Sequence, residues 1–379
     1  MARGVDAHSG NFHKVVAVAI DTTGRFTGNR KSLCRQQSLR SFAGLVLDDL
    51  TQNPQIDAEM AMFYDMLVIG DDPEGLERAI ASSRLGQRIA VVCDLEKPPS
   101  VELLGKGAEL LVQTRLLTKE DGAAQKRKST PDVTMKGWRT EVQRLSARIS
   151  STRDAQMRAL GIEQIWGRAR FIAATTVEIA DGDQNRIASA TKIVIACGTV
   201  SRQPASFQID GPRVVVAESL LALDEIPRSA LVVGAGTTGR TVAIALARLG
   251  VEVTVVDEQL SLCDVSRMFD DSWELFQSLQ IAFRLGEEVI GTEASVRGSP
   301  AIRLASGRIL RADAVVICVG RDGNTPGLNL ESANVGLDER GRVWCDAAGQ
   351  TWSPQIVAVG DVVGFPGRGQ VVDHLMSAQ

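Results

Sequence analysis

Residues 231–246 read LVVGAGTTGRTVAIAL: an apolar run ends in a glycine, two glycines follow at G-x-G-x-x-G spacing, and an alanine-rich helical pattern begins. Each glycine has a physical role in such a turn. Gly234 permits the tight turn out of a strand, Gly236 lets a pyrophosphate approach the backbone, and Gly239 lets the helix lie close to the strand. The N–H groups of the first helical turn would then point at the phosphates.

The spacing of the glycines alone is weak evidence for a nucleotide site, because the glycines of an ordinary βαβ unit can serve only to make a turn. The next strand strengthens the evidence. Val251–Val256 is apolar and ends at Asp257, about twenty residues past the glycines, where a carboxylate would bind an adenosine ribose. Glu258 could take the same role. An acid here favours NAD over NADP because it would repel a 2′-phosphate, and Arg240 and Arg248 do not obviously supply a site for one. The stretch therefore predicts an NAD-binding unit.

Composition narrows the class of protein. At 379 residues the chain is long enough for two domains, and its net charge of −4 argues against nucleic acid as the main partner. None of the six cysteines forms a C-x-x-C or C-x-x-x-x-C pair, which favours buried thiols in a reducing cytoplasm. No metal-ligand cluster, nucleophile motif, signal peptide or membrane-length apolar run is visible in the sequence. We predict a cytoplasmic α/β protein that binds no metal.

A second glycine unit with an altered motif lies earlier in the chain. A buried-strand pattern at Tyr64–Gly70 is followed by a helix and by a second strand that ends at Asp94. The middle glycine of the motif is replaced by Asp72, and Glu74 precedes Gly75. Both acids would stand where a pyrophosphate should pass, which costs free energy electrostatically and sterically.

The rest of the chain predicts further elements of an α/β fold. A long helix is predicted over Thr134–Leu160, with Trp138, Val142, Leu145 and Ile149 along one core-packing stripe. Residues 100–131 read as surface loop and short helix. The other predicted elements are strands over Ile165–Ile179, Ile187–Thr191, Lys192–Ala196, Ala314–Gly320, Gly341–Asp346 and Ile356–Asp361, a connector with a short helix over Pro212–Arg228, a helix over Phe269–Leu279, and a hairpin over Ala301–Arg311.

Two nucleotide units in one chain resemble the flavoprotein disulfide reductase superfamily, and within it the soluble pyridine nucleotide transhydrogenase branch. The resemblance covers roughly residues 63–375. It depends on collinear pieces at Tyr64–Gly75, Gly167–Phe171, Ile193–Gly198, Leu231–Thr241, Val319–Thr325 and Val357–Pro366. Two motifs within the last two pieces, G-R-x-G-N-T and V-G-D-V-x-G-F-P, point to the transhydrogenase branch.

The resemblance implies two Rossmann-like dinucleotide-binding domains, with the NAD domain inserted in the FAD domain. The implied divisions are a poorly ordered extension over 1–62, an FAD-binding domain over 63–211 and 318–379, and an NAD(P)-binding domain over 212–317. For FAD it implies Gly70 and Gly75 beside the pyrophosphate, Asp94 on the ribose, Cys197 and Gly198 at the cofactor linkage, and Gly360 and Asp361 on the ribityl chain or phosphates. For NAD it implies Gly234, Gly236, Gly239 and Asp257, with Gly320 near the nicotinamide.

The implied activity is hydride transfer from one nicotinamide nucleotide to flavin and on to another. Leu95–Pro99 stands where the family's cysteine segment would follow, so no redox disulfide is expected. Two alternatives remain: a degenerate NAD-binding protein without tight FAD binding, and a flavin-linked NADH dehydrogenase or dihydrolipoamide dehydrogenase-like relative without the redox disulfide. The family forms homodimers, but we expect its interface domain to be missing here. Translation could begin at Met60 or Met62.

Overall fold

The computed structural model describes residues 61–94, 99–120, 133–182, 184–258, 272–296 and 299–364. Its α-helices are α1 Pro73–Arg84, α2 Val101–Glu120, α3 Met135–Ala159, α4 Thr237–Arg248 and α5 Ser272–Ser278. Its strands are β1 Ala61–Ile69, β2 Ile89–Cys93, β3 Glu163–Trp166, β4 Arg168–Ala173, β5 Thr176–Asp181, β6 Gln184–Ile195, β7 Thr199–Ser201, β8 Val214–Val216, β9 Ser229–Val233, β10 Glu252–Asp257, β11 Ala282–Leu285, β12 Val289–Val296, β13 Ser299–Leu304, β14 Ile309–Arg311, β15 Ala314–Ile317, β16 Arg321–Gly323 and β17 Ile356–Ala358. Short 3-10 helices cover Ala217–Ala222, Leu330–Ala333 and Gly360–Val362.

The first sheet has the order β3-β2-β1-β6-β5-β4. Its strands β1, β2, β3 and β6 run parallel, whereas the pairs β6-β5 and β5-β4 are antiparallel. The last strand, β17, returns to pair in parallel with β6 at Ile193–Ile195. Because parallel strands end at the same edge, the loops after β1, β2, β6 and β17 meet along one side of this sheet.

The second sheet is parallel throughout, in the order β11-β10-β9-β15-β8. Strand β9 lies at its centre and leads through α4 to β10 on one side, while β15 pairs with its other side. The chain order therefore reverses between β9 and β15, and a crevice at the carboxyl ends of such strands is the usual ligand position in an open α/β sheet.

Helices α2 and α3 belong to the first half of the sequence but pack on the second sheet. The buried side chains of Leu104, Trp138 and Val142 share one apolar cluster with Val232 of β9 and Val242 of α4. At the edge of that cluster Glu109 of α2 forms an ion pair with Arg248 of α4, with Oε2 and Nη1 3.2 Å apart. The two halves of the chain are thus joined by a common core as well as by β17.

Several sequence-based predictions of local structure are wrong. Residues 101–120 form a 20-residue helix instead of loop and short helix. The predicted strands Ile187–Thr191 and Lys192–Ala196 are one strand, β6, which exchanges β5 for β17 as its partner halfway along. Gly341–Asp346 forms only isolated bridges through Val343. The predicted connector at Pro212–Arg228 contains the edge strand β8.

Some predictions fall where the structure is not described. Residues 1–60 lie outside the described residues; they hold most of the predicted N-terminal extension and one candidate translation start. Residues 95–98, most of the Leu95–Pro99 stretch, also lie outside. Ala61 and Met62, predicted as the end of the extension, belong to β1 instead. Among the described helices, none is both long enough and apolar enough to cross a membrane.

The predicted stripe on α3 is only partly buried, which gives a test of the fold. Trp138 is fully buried and its indole Nε1–H donates to the carbonyl oxygen of Leu104 at 3.0 Å, whereas Ile149 is 54% exposed. We expect Trp138→Phe to lower the free energy of unfolding by about 2 kcal/mol, because it removes that hydrogen bond and leaves a small cavity. Ile149→Ala on the same helix should change it by no more than about 0.5 kcal/mol. Urea denaturation followed by circular dichroism compares the two.

Candidate dinucleotide-binding sites

The loop after β9 has the geometry that each of its glycines was predicted to provide. Gly234 adopts φ 103°, and a methyl group placed on it would overlap the carbonyl oxygen of Cys318. A methyl group on Gly239 would overlap the carbonyl oxygen of Gly234, so this residue keeps α4 close to β9. Gly236 differs from both, because nothing lies within 4 Å of the position a methyl group would take. The open space is therefore at the middle glycine, where a phosphate would need it.

Helix α4 begins at this open position without a side-chain cap. Its N-cap residue is Gly236, with φ −62° and ψ 179°, and this residue provides no side-chain cap to the first turn. An uncapped helix N-terminus presents backbone N–H groups and the positive end of the helix dipole to an anion. The arrangement suits a diphosphate that approaches the backbone at Gly236.

The predicted ribose ligand, Asp257, lies beside this loop at the end of β10. Its Oδ2 accepts a hydrogen bond from the backbone N–H of Ala235 at 2.6 Å, which holds the carboxylate against the glycine turn. Glu258, the alternative ribose ligand, is exposed one residue farther on. The predicted nicotinamide neighbour, Gly320, follows β15 on the other side of β9, and its carbonyl oxygen accepts a hydrogen bond from the backbone N–H of Arg202 at 3.0 Å. These residues share the carboxyl edge of the second sheet.

The loop after β1 keeps the outer two glycines of its motif in equivalent surroundings. Gly70 adopts φ 100°, and a methyl group there would overlap the carbonyl oxygen of Ala196. A methyl group on Gly75 would overlap the Cβ atom of the same Ala196, so α1 lies close to the sheet. The tight turn and the close helix packing of a dinucleotide fold are thus present in the first sheet as in the second.

The middle of that motif is filled by the chain's own carboxylates. Asp72 is the N-cap of α1, and its Oδ1 accepts a hydrogen bond from the backbone N–H of Glu74 at 3.1 Å. The Oε2 atom of Glu74 accepts one from the backbone N–H of Gly360 at 3.0 Å. A methyl group on Gly360 would overlap the Asp72 carboxylate, so that carboxylate lies directly on the backbone after β17. As they stand, these residues do not fit the diphosphate of FAD.

The other residues predicted for FAD lie along the same edge of the first sheet. Asp94 follows β2 and is exposed, and Asp361 is exposed beside Gly360. Cys197 and Gly198 follow β6, and Gly198 adopts φ 68°. The structure brings Asp72, Gly198 and Gly360 together.

Two residues near this edge were not assigned a role from the sequence, although the G-R-x-G-N-T motif contains them. The backbone N–H of Asn324 donates to the carbonyl oxygen of Gly198 at 3.0 Å, and its amide Nδ2 donates to that of Cys197 at 3.4 Å. The guanidinium of Arg321 donates to Thr199 Oγ1 at 2.7 Å and forms an ion pair with Glu218 at 2.8 Å. The motif therefore stabilises the loop after β6 through hydrogen bonds.

Two buried cysteines, Cys318 and Cys345, have thiols whose pKa is raised. Burial raises the pKa of the Cys318 thiol to about 12; the nearby Glu218 carboxylate adds to the rise and Arg321 opposes it. Burial likewise raises the pKa of Cys345, with a further contribution from Asp346. A thiol rather than a thiolate is a poor nucleophile at neutral pH. Within the described part of the chain, no group of three or more His, Cys, Asp or Glu side chains is arranged to hold a metal ion.

Comparisons with known proteins point to one family of oxidoreductases. The model of the family described as pyridine nucleotide-disulphide oxidoreductase matches residues 64–379. A soluble pyridine nucleotide transhydrogenase of Mycobacterium tuberculosis (strain ATCC 25177 / H37Ra) is 32% identical over 318 residues, which are 80% of this chain and 67% of the relative. One of Marinomonas sp. (strain MWYL1) is 30% identical over 321 residues, again 80% and 67%. The chain spans about two thirds of the length of these relatives.

Solved structures show the same fold at lower identity. LpdA from Mycobacterium tuberculosis aligns with a TM-score of 0.66 and 22% identity, over 80% of this chain and 68% of that one. The HOCl-induced flavoprotein disulfide reductase RclA from Escherichia coli aligns with a TM-score of 0.63 and 21% identity, over 80% and 67%. At this identity the likeness concerns the fold.

Proposed function

The chain belongs to the pyridine nucleotide-disulphide oxidoreductase family, whose members are FAD- and NAD(P)-dependent oxidoreductases, and on this premise we propose that it transfers hydride between pyridine nucleotides. One observation carries the nucleotide-binding half of the proposal. Helix α4 begins at Gly236 with no side-chain cap and open space in front of it, and Asp257 is held beside that space. FAD and NAD(P) are the cofactors that the family implies.

In this proposal the chain's own residues bind and orient the nicotinamide nucleotide. The first turn of α4 takes the diphosphate, the carboxylate of Asp257 accepts from the ribose hydroxyls, and the nicotinamide lies toward Gly320 at the end of β15. The charge of Asp257 favours NAD over NADP. Arg248 is engaged in its ion pair with Glu109, so its charge is already balanced without a 2′-phosphate.

We also propose the domain division that the family resemblance implies. Residues 63–211 and 318–379 would form the FAD-binding part, and residues 212–317 the NAD(P)-binding part. The pairing of β17 with β6 supports a return of the chain to the first sheet. The pairing of β8 with β15 supports a boundary near residue 212. Location in the cytoplasm stays a prediction.

A second candidate function is favoured by the carboxylates at the start of α1. A protein that binds NAD(H) without a tightly held flavin would keep the α4 site and tolerate Asp72 and Glu74 on the backbone of Gly360. The two candidates differ in one measurement. Purified protein is mixed with NADPH and thionicotinamide adenine dinucleotide, with and without added FAD, and reduction of the thionicotinamide is followed by absorbance. Transfer supports the first candidate, and NADH binding without transfer supports the second.

The nucleotide site itself is tested by Asp257→Ala. We expect the dissociation constant for NADH to rise about tenfold to a hundredfold, because the variant loses a charge-assisted hydrogen bond to the ribose. Affinity for NADPH should fall much less, since the same change removes repulsion of the 2′-phosphate. Isothermal titration calorimetry measures both. Glu252→Ala, an exposed change at the start of the same strand, is the control. Unchanged NADH affinity in Asp257→Ala would contradict the assignment.

A further inference from the structure

In the described part of the chain, helices α1 and α4 each begin after a glycine turn, and their N-termini differ in one respect. Helix α4 starts at Gly236 with no side-chain cap. Helix α1 starts at Asp72, whose carboxylate already accepts a hydrogen bond from the backbone N–H of Glu74. An N-cap carboxylate satisfies the donors and the dipole that an external anion would use. The same fold element is thus open in one sheet and occupied in the other.

The second carboxylate, that of Glu74, binds the loop after β17. Glu74 reaches the backbone N–H of Gly360, 286 positions away in the sequence, with Oε2 at 3.0 Å. A methyl group on Gly360 would overlap the Asp72 carboxylate where it now stands, and the φ of 75° at Gly360 also favours glycine. One carboxylate therefore holds an amide of the α1 turn, and the other holds an amide of the loop after β17. Both amides lie on the edge that the family resemblance assigns to the FAD diphosphate.

The charges around the turn indicate that Asp72 and Glu74, and not Asp71, occupy the place of the diphosphate. Asp71, which precedes them, is neutralised by an ion pair with Arg153 of α3, with Oδ2 and Nη1 2.5 Å apart. Asp72 and Glu74 each accept a hydrogen bond from a backbone amide. A diphosphate would have to enter the same space, where like charges repel it. Because the two carboxylates are part of the chain, they compete at an effective concentration of roughly millimolar or more.

We propose that Asp72 and Glu74 are an internal competitor for the FAD diphosphate at the N-terminus of α1, so that this chain binds FAD weakly and exchangeably. FAD can enter only when the carboxylates leave Gly360 and the first turn of α1. The inference rests on the proposed function, which brings FAD to this edge. It adds that residues 72 and 74 determine how tightly the flavin is held.

The test is a gain of binding. The full chain is compared with the double variant Asp72→Gly/Glu74→Ala, which opens the turn, and with Asp72→Asn/Glu74→Gln, which keeps the side-chain size but removes both charges. Glycine and asparagine are both acceptable N-caps, so α1 should persist in each variant. Glu77→Gln, an exposed change on the same helix, removes a charge away from Gly360. FAD is titrated by flavin fluorescence and calorimetry, and bound flavin in the purified proteins is quantified by absorbance.

We expect purified wild-type protein to contain much less than one FAD per chain, and Glu77→Gln to match it. The affinity for FAD should rise at least a hundredfold in Asp72→Gly/Glu74→Ala and at least tenfold in Asp72→Asn/Glu74→Gln. Stoichiometric flavin in the wild type, or no gain in either variant with unchanged circular dichroism, would overturn the proposal. NADH titration of the same samples keeps the two ideas separate. Loss of NADH binding refutes the α4 site, whereas the FAD comparison decides the role of Asp72 and Glu74.

Discussion

Replacing Gly236 with aspartate is expected to weaken NADH binding at least a hundredfold while the protein stays folded. The change reproduces at the start of α4 the residue that α1 already has at Asp72. The new carboxylate would cap the first turn and repel the diphosphate. Like charges about 4 Å apart cost about 4 kcal/mol at the effective dielectric constant near a protein surface, and screening by salt leaves enough for two orders of magnitude in affinity.

The control for this prediction is Gly236→Asn, which has nearly the same shape and capping ability but no charge. Both variants should fold, because nothing lies within 4 Å of the added Cβ atom and φ is −62°. Calorimetric titration with NADH then separates the effect of charge from the effect of side-chain size. Gly236→Asn should bind NADH more tightly than Gly236→Asp. Wild-type affinity in Gly236→Asp with an intact circular dichroism spectrum would show that the diphosphate lies elsewhere.

Replacing Gly239 with alanine is expected to cost about 3 kcal/mol of unfolding free energy, although the change adds a single methyl group. That methyl group would overlap the carbonyl oxygen of Gly234, which is backbone and cannot rotate away. Helix α4 would have to move off β9. Because Val242 of this helix lies in the apolar cluster shared with α2 and α3, the displacement should loosen packing in both halves of the chain.

Urea denaturation measures this effect against Gly236→Ala, three residues earlier in the same loop. There the added methyl group meets nothing, so the free energy of unfolding should change by no more than about 0.5 kcal/mol, and NADH affinity should fall instead. The same glycine-to-alanine change should therefore lower mainly the free energy of unfolding at residue 239 and mainly the NADH affinity at residue 236. If Gly239→Ala is as stable as the wild type, the close approach of helix and strand is not as the structure has it.

The sequence predicted the elements whose signals are local. The strand before Gly234, the helix after it and the strand ending at Asp257 all follow from apolar periodicity and glycine spacing. The same holds for β1 with the loop to Gly75. Apolar periodicity and glycine spacing are legible within a window of about thirty residues, which is the length of one βαβ unit.

The sequence failed where distant contacts override local propensity. Helix α2 was predicted as loop and short helix, and its Gly105 and Gly107 are residues of low helix propensity. In the fold Gly105 is opposite Thr241 of α4, and a methyl group on Gly107 would come within 2.5 Å of Val142 Cγ2. Small residues there allow helices to approach closely. Strand β8 was missed because three residues form a strand only when β15 supplies the partner.

For the candidate sites, the sequence by itself determined which residues are available. These are the glycines of the turns, an acid at the end of β10, and two acids in the first motif, one in place of its middle glycine and one just before its last glycine. Only the tertiary structure decided what the two acids do. Hydrogen-bond partners of a carboxylate are fixed by whichever backbone amides the fold brings near, and Gly360 comes from the opposite end of the described chain. Strand β17 brings it there by pairing with β6, and no local pattern around residue 72 or residue 360 contains that information.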